Sequence, residues 1–254
     1  MNWLVGTSGY AYKEWKGVFY PDKLPARGML EYYATQLPAV EINNTFYRLP
    51  KATVLDSWAA QVPASFRFAL KASRRITHFK RLKGAEDETE YLLETARTLG
   101  SRLGVILFQL PPGLPCDLER LARFVDQLPE DTRAAFEFRH PSWARGDVEA
   151  LLRDRNLAWV VNDDDEAPAE ALTRTASWGY LRLRRAGYDR AALADWARRI
   201  AATGWEHAFV FFKHEDAGAG PRMAAEFLEL ATRQAERKTA IRRSSDSGDQ
   251  RESA

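Results

Sequence analysis

The sequence holds a single cysteine, Cys116, in 254 residues, which excludes an intrachain disulfide and a multi-cysteine metal site. Its setting, PPGLPCDLE, reads as a turn before a helix with no base beside it, so it is a poor nucleophile candidate. An excess of one charge is also missing. Lys plus Arg number 37 and Asp plus Glu 35, a net charge of +2, too small for the overall charge to imply nucleic acid or an anionic membrane as partner. No apolar run approaches the ~18 residues that a membrane helix needs. Met1 and Asn2 lead into WLVGTSG, without the basic flank and apolar stretch of a signal peptide, so the expected location is the cytoplasm. Neither H-E-x-x-H nor H-x-H occurs, and GTSGYAY lacks the G-x-G-x-x-G spacing of dinucleotide sites, so neither metal nor cofactor is expected.

What is present is enough for a large core: 45% apolar and 12% aromatic residues, with eight tryptophans. Eight short β-rich runs recur: 3–8, 40–46, 66–72, 104–110, 134–139, 158–163, 180–184 and 208–214. Between them apolar residues fall three or four apart, as in Leu118, Leu121, Val125 and Leu128, the spacing of an amphipathic helix. The segment around Ala169 to Leu172 shows it weakly. Strands apolar enough for burial on both faces, alternating with helices, predict an α/β fold: a single parallel (β/α)8 barrel over residues 1–235. An open doubly wound sheet is the alternative. Residues 236–254 hold one large apolar residue, Ile241, and are expected to form a disordered polar tail.

In such a barrel the active site lies where strands end and the following loops begin. Polar groups collect there: Glu41 and Asn43, Lys71, Gln109, Glu137, Arg139 and His140, Asn162 and Asp163, Arg182, and Lys213. The period of two puts Glu41 with Asn43, and Glu137 with Arg139, on one face. A buried carboxylate paired with a buried guanidinium is the structural alternative for any one of them. The first loop adds Tyr10 and Trp15, as a stacking wall or as a plug over the barrel.

The stretches GTSGYAYKEWKGVFYP, VEINNTFYRLP, FALKASRRITH, ILFQLPP, FEFRHPSW and FFKHE, in this order, resemble the YecE-like proteins, domain-of-unknown-function family seventy-two. The resemblance implies a TIM-type barrel and brings no established reaction. Members often end the seventh strand with Arg, an aromatic or Leu, His and Gly, where this chain has Arg182 to Arg185. Many end the eighth with two asparagines, where it has Lys213 and His214.

From the residues themselves the expected function is a non-redox enzyme, a hydrolase, lyase or isomerase, acting on a small anionic substrate. Glu41 or Glu137 would be acid or base, Asn43 and Gln109 would orient the substrate, and Lys71, Arg139, Arg182 and Lys213 would hold the anion. The turn from Gly218 to Pro221 would add a helix N-terminus. The alternatives are a nucleic-acid-binding protein using the basic loop SRRITHFKRLKG, and a barrel that binds a metabolite without turning it over. Because the C-terminal segment offers almost nothing to a core, deletion of residues 237–254 should leave the melting temperature nearly unchanged in a thermal scan. A fall of several degrees would mean that it docks on the barrel.

Overall fold

The computed structural model describes residues 1–169, 171–213 and 218–249, with side chains through residue 234. Its eight strands are β1 (Asn2–Ser8), β2 (Ala39–Ile42), β3 (Arg67–Lys71), β4 (Leu103–Gln109), β5 (Ala134–Glu137), β6 (Ala158–Asp163), β7 (Trp178–Leu183) and β8 (His207–Phe212). They pair in sequence order, every neighbour parallel, and β8 closes on β1. The helices are α1 (Met29–Gln36), α2 (Ala52–Ala60), α3 (Glu86–Arg97), α4 (Leu118–Asp126), α5 (Gly146–Asp154), α6 (Arg190–Ala202) and α7 (Ala219–Asp249). This is a TIM barrel and not an open sheet. Among the described residues no helix is long and apolar enough to cross a membrane.

Local sequence explains the elements. In α4, Asp117 caps the first turn by accepting from Arg120 N (3.0 Å), while Leu121, Phe124 and Val125 form the buried stripe. Inside the barrel, small residues face large ones: Ala39, Ala69, Ala135 and Ala158 on one side leave room for Tyr180, Phe209 and Phe211 on the other. The outward residues of the same strands, such as Val40, Phe68, Phe108, Phe136 and Leu183, pack under the helices.

Two features differ from the sequence expectation. Between β6 and β7 the described residues form no helix. Side chains there capture backbone donors that a helix would need: Asp164 accepts from Ala167 N (2.7 Å) and Asp163 from Ala169 N (2.8 Å). Thr175 then ties the crossover back to β6, accepting from Trp159 N (2.8 Å) and donating to Leu157 O (2.7 Å). The second strand stops at Ile42, because Asn44–Phe46 turn as a 3-10 helix. The last helix, α7, spans Ala219–Asp249. Residues 250–254 lie outside the described residues.

The first two strands approach closely. A Cβ on Gly6 would stand 1.8 Å from Ala39 O and 2.9 Å from the Tyr33 hydroxyl. That buried hydroxyl accepts from Thr7 N (2.8 Å), contacts Thr7 Oγ1 (2.9 Å) and donates to Ala39 O (3.0 Å). Tyr33→Phe therefore strands a buried N–H and should cost about 1–3 kcal/mol, read as a lower urea midpoint with an unchanged slope.

Candidate functional site

Seven strands carry an inward polar residue at their last or next-to-last position, Ser8, Glu41, Lys71, Gln109, Glu137, Asn162 and Arg182, and Lys213 follows the eighth. At the centre lies Arg182, 1% exposed. Its guanidinium forks, Nη2 donating to Glu41 Oε1 (2.9 Å) and Nη1 to Glu137 Oε2 (2.7 Å). Glu41 Oε1 also accepts from Ser8 Oγ (2.8 Å) and Asn43 Nδ2 (3.0 Å), and Oε2 accepts from the Tyr180 hydroxyl (2.7 Å). Three of its four donors thus meet on Oε1 and one on Oε2. Glu137 takes two more, from Gln109 Nε2 (2.9 Å) and Arg139 Nε (3.0 Å).

The electrostatics follow from this network. Burial alone would raise the Glu41 carboxyl, but the Arg182 charge and the bonds from Tyr180 and Ser8 outweigh it and hold it below the usual range. Burial opposes ionisation of Glu137 too, yet Arg182 and Arg139 hold it down at about 2. Burial likewise works against the Arg182 charge, and the two carboxylates overcome it. Glu41 and Glu137, expected as acid or base, are thus fixed anions with no proton to give near neutrality. Arg182, expected to hold a ligand anion, has both Nη atoms committed to them.

On the opposite wall, Lys71 Nζ sits 4.2 Å from the centroid of the Phe46 ring. Burial and then the Arg182 charge lower its pKa to about 8, against the pull of Glu41 and Glu137. His78 packs edge-on against the other side of this neighbourhood, 4.9 Å from Phe46, and burial, Lys71 and Arg139 lower its pKa. Arg184 is lowered by burial and by Arg182. Beside these groups a cavity of about 700 Å³ opens between the ends of β5 and β6 and the β6–β7 crossover. Its inner wall carries Glu137, Arg139, Asn162, Arg184 and Lys213, and its outer rim Asp164, Asp165 and Glu166.

Of the residues expected at the site, Glu41, Gln109, Glu137 and Arg182 form one bonded network, Asn43 and Arg139 attach to it, and Lys71 stands beside it. Asn162 lines the cavity and donates to Asp164 Oδ2 (2.6 Å). Four others have different work. Asp163 faces outward, fully buried, and accepts from Tyr188 (2.6 Å), Arg185 (2.8 Å) and Ala169 N. His140 caps the Pro141–Trp143 turn, accepting from Ser142 N. Trp15 is 1% exposed among Tyr12, Phe19 and Tyr20, and Tyr10 leans on Tyr33, so the first loop is a plug. The sequence reading missed Tyr180 in the network and His78 beside Lys71. In the sequence Arg184 stands out only as a departure from the family motif. Gly218 starts the turn into α7 with φ +81°. The residues between Lys213 and Gly218, including His214, lie outside the described residues. Among the described residues no group of three or more His, Cys, Asp or Glu is arranged to hold a metal.

Fold and site together define a TIM barrel whose mouth is floored by a buried carboxylate–guanidinium–carboxylate bridge. The chain belongs to the family described as protein of unknown function DUF72, whose sequence profile matches residues 4–247. It is 36% identical to the UPF0759 protein YecE of Escherichia coli (strain K12) over 125 residues, 48% of this chain and 46% of that protein. To the UPF0759 protein YunF of Bacillus subtilis (strain 168) it is 29% identical over 132 residues, 49% of this chain and 47% of that one. The aligned part thus spans about half the length of these curated relatives. The crystal structure of a DUF72 family protein from Thermotoga maritima MSB8 superposes with a TM-score of 0.77 at 25% identity, covering 91% of this chain and 99% of that one. D-Psicose 3-epimerase from Clostridium cellulolyticum H10 shares the fold, with a TM-score of 0.55 and 13% identity over 91% of this chain and 98% of the epimerase.

Removing Arg182 would leave two buried carboxylates without their bridge, at about 3–5 kcal/mol. In the wild type the carboxyl pKa values are depressed, so their stabilisation is present above the unfolded value of ~4.3 and is lost as pH falls toward the folded values. In Arg182→Met, burial would raise those values instead. The deficit should therefore be largest at neutral pH and shrink as acid protonates the carboxyls. Denaturant melts of both proteins across this pH range check it.

Proposed function

We propose that the mouth binds a small anionic metabolite bearing a phosphate or carboxylate, and that the protein is a non-redox enzyme acting on it. One observation carries the reading. On the barrel floor the charges of Glu41 and Glu137 are matched by those of Arg182 and Arg139, while Lys71 and Arg184 have no carboxylate partner among the described residues. Arg184 then lines the polar cavity and Lys71 stands beside the same charged floor, where an anion would be worth more than in bulk water. The acidic outer rim suits hydroxyl or amino groups at the far end of the same ligand, so a phosphorylated or carboxylated polyhydroxy compound fits both ends.

A second reading, nucleic-acid binding, is favoured by the rim of the third loop, where the Arg74 guanidinium lies over the exposed rings of Tyr47 and Phe79. The two differ in salt response, since an oligonucleotide contacting several cations loses affinity steeply with salt.

The expected result of titrating the protein calorimetrically with inorganic phosphate and with phosphorylated and carboxylated metabolites is saturable binding. Arg184→Ala should weaken it by about 1.5–3 kcal/mol. Heat changes that never saturate, or that are identical in the variant, would refute the anion site.

A further inference from the structure

We propose that Lys71 is a carbonyl-capturing amine, condensing with the aldehyde or ketone carbon of an anionic substrate to form a Schiff base. The substrate class rests on the anion reading above; the amine chemistry rests on the surroundings of Lys71.

Lys71 ends β3 on its inward side. Among the described residues its Nζ has no hydrogen-bond acceptor and no ion-pair partner, only the face of Phe46. The charged groups around it are Glu41 from β2, Glu137 and Arg139 from the β5 end, and Arg182 from β7, with His78 from the third loop. The two carboxylates nearest to it are engaged by the Arg182 fork, and neither makes a hydrogen bond or ion pair with Nζ. Burial first and then the Arg182 charge, with a smaller push from Arg139, oppose the ammonium form and outweigh the pull of Glu41 and Glu137. With a pKa near 8, roughly a quarter of the amine is neutral at about pH 7.5, against ~0.1% of an ordinary lysine. That form is the nucleophile.

Condensation also moves protons, and His78 stands against the same Phe46 ring as Lys71. Its Nδ1 shares a hydrogen bond with Thr77 Oγ1 (2.9 Å), which leaves Nε2 for exchange. The Lys71 nitrogen lone pair forms a bond to the carbonyl carbon as the C=O π pair moves to oxygen. The nitrogen gives up a proton to His78 or water and the oxygen gains one, giving a carbinolamine. A second proton reaches that hydroxyl, which leaves as water while the nitrogen lone pair closes C=N. Overall an ammonium and a carbonyl compound become an iminium and water, with charge conserved. An iminium draws electrons from the adjacent carbon, so the reaction is narrowed to lyase or isomerase chemistry and away from hydrolysis.

The test is reductive trapping on the full chain, using pyruvate and pyridoxal 5′-phosphate as anionic probes, propanal as a neutral one, and cyanoborohydride. Peptide mass mapping locates the adduct. The expected outcome is labelling of Lys71 about tenfold or more faster than any other lysine at about pH 7.5, rising with pH through about 8. Lys71→Arg, checked for folding by circular dichroism, should lose this adduct. His78→Gln should slow trapping without moving its midpoint far. Adducts scattered over surface lysines in the wild type, with Lys71 no faster than the rest, would overturn the proposal without need of any variant. If anions bind in an Arg184-dependent way yet Lys71 is not labelled, the amine chemistry fails and the anion site stands. If Lys71 is labelled selectively but propanal reacts as fast as the anionic probes and phosphate does not bind, the anion reading fails and the amine stands.

Discussion

The barrel mouth depends on one bridge, the Arg182 guanidinium held between Glu41 and Glu137. Three ions lie almost wholly out of water there, a situation that is favourable only if every member is paired and hydrogen-bonded. That demand fixes the neighbourhood. Ser8, Asn43 and Tyr180 complete Glu41, and Gln109 and Arg139 complete Glu137, so groups from β1, β2, β4, β5 and β7 must end at one level. The bridge also decides which groups are left over. By occupying both carboxylates it leaves Lys71 with no ion-pair partner among the described residues, a partly dehydrated amine on the face of Phe46.

Much of this was legible in the sequence because burial and parity leave strong traces. Runs such as GVILFQL are too apolar to face water on either side, and eight of them separated by helical spacing admit few architectures besides a closed parallel barrel. The polar residues at the ends of those runs stood out for the same reason: a Glu or Arg after several apolar residues needs a partner. Parity could have gone further. Asp163 follows Asn162 by one residue and so must face the other side of the sheet, toward Tyr188 and Arg185. His140 precedes Pro141, the signature of a cap on a short turn.

Other features were not legible because their cause is tertiary. Tyr180 reads as one more aromatic of a strand, and only closure of the barrel brings its hydroxyl to Glu41, 139 positions away in sequence. The choice of Glu41 and Glu137 as acid or base rested on their being carboxylates at strand ends. Nothing in the chain order showed that a single arginine would claim both. Nor could spacing reveal that His78, in a loop that reads as a solvated basic face, would turn back to touch Phe46. The missing helix after β6 reflects competition: a few aspartates offered the backbone better local partners than a weakly amphipathic stretch could.

The helix-free crossover between β6 and β7 also bears on how such a barrel can change over generations. Elsewhere around the ring, an insertion or deletion would shift a helix against the sheet and disturb a packed layer. Between these two strands the chain is anchored at its ends, by Asp163 and by Thr175, and the residues between supply the outer wall of the cavity. Its length and composition can drift while the charged floor stays in register. Relatives that keep the floor are thus free to admit different molecules, which makes this segment the natural place to graft a new specificity onto an old scaffold.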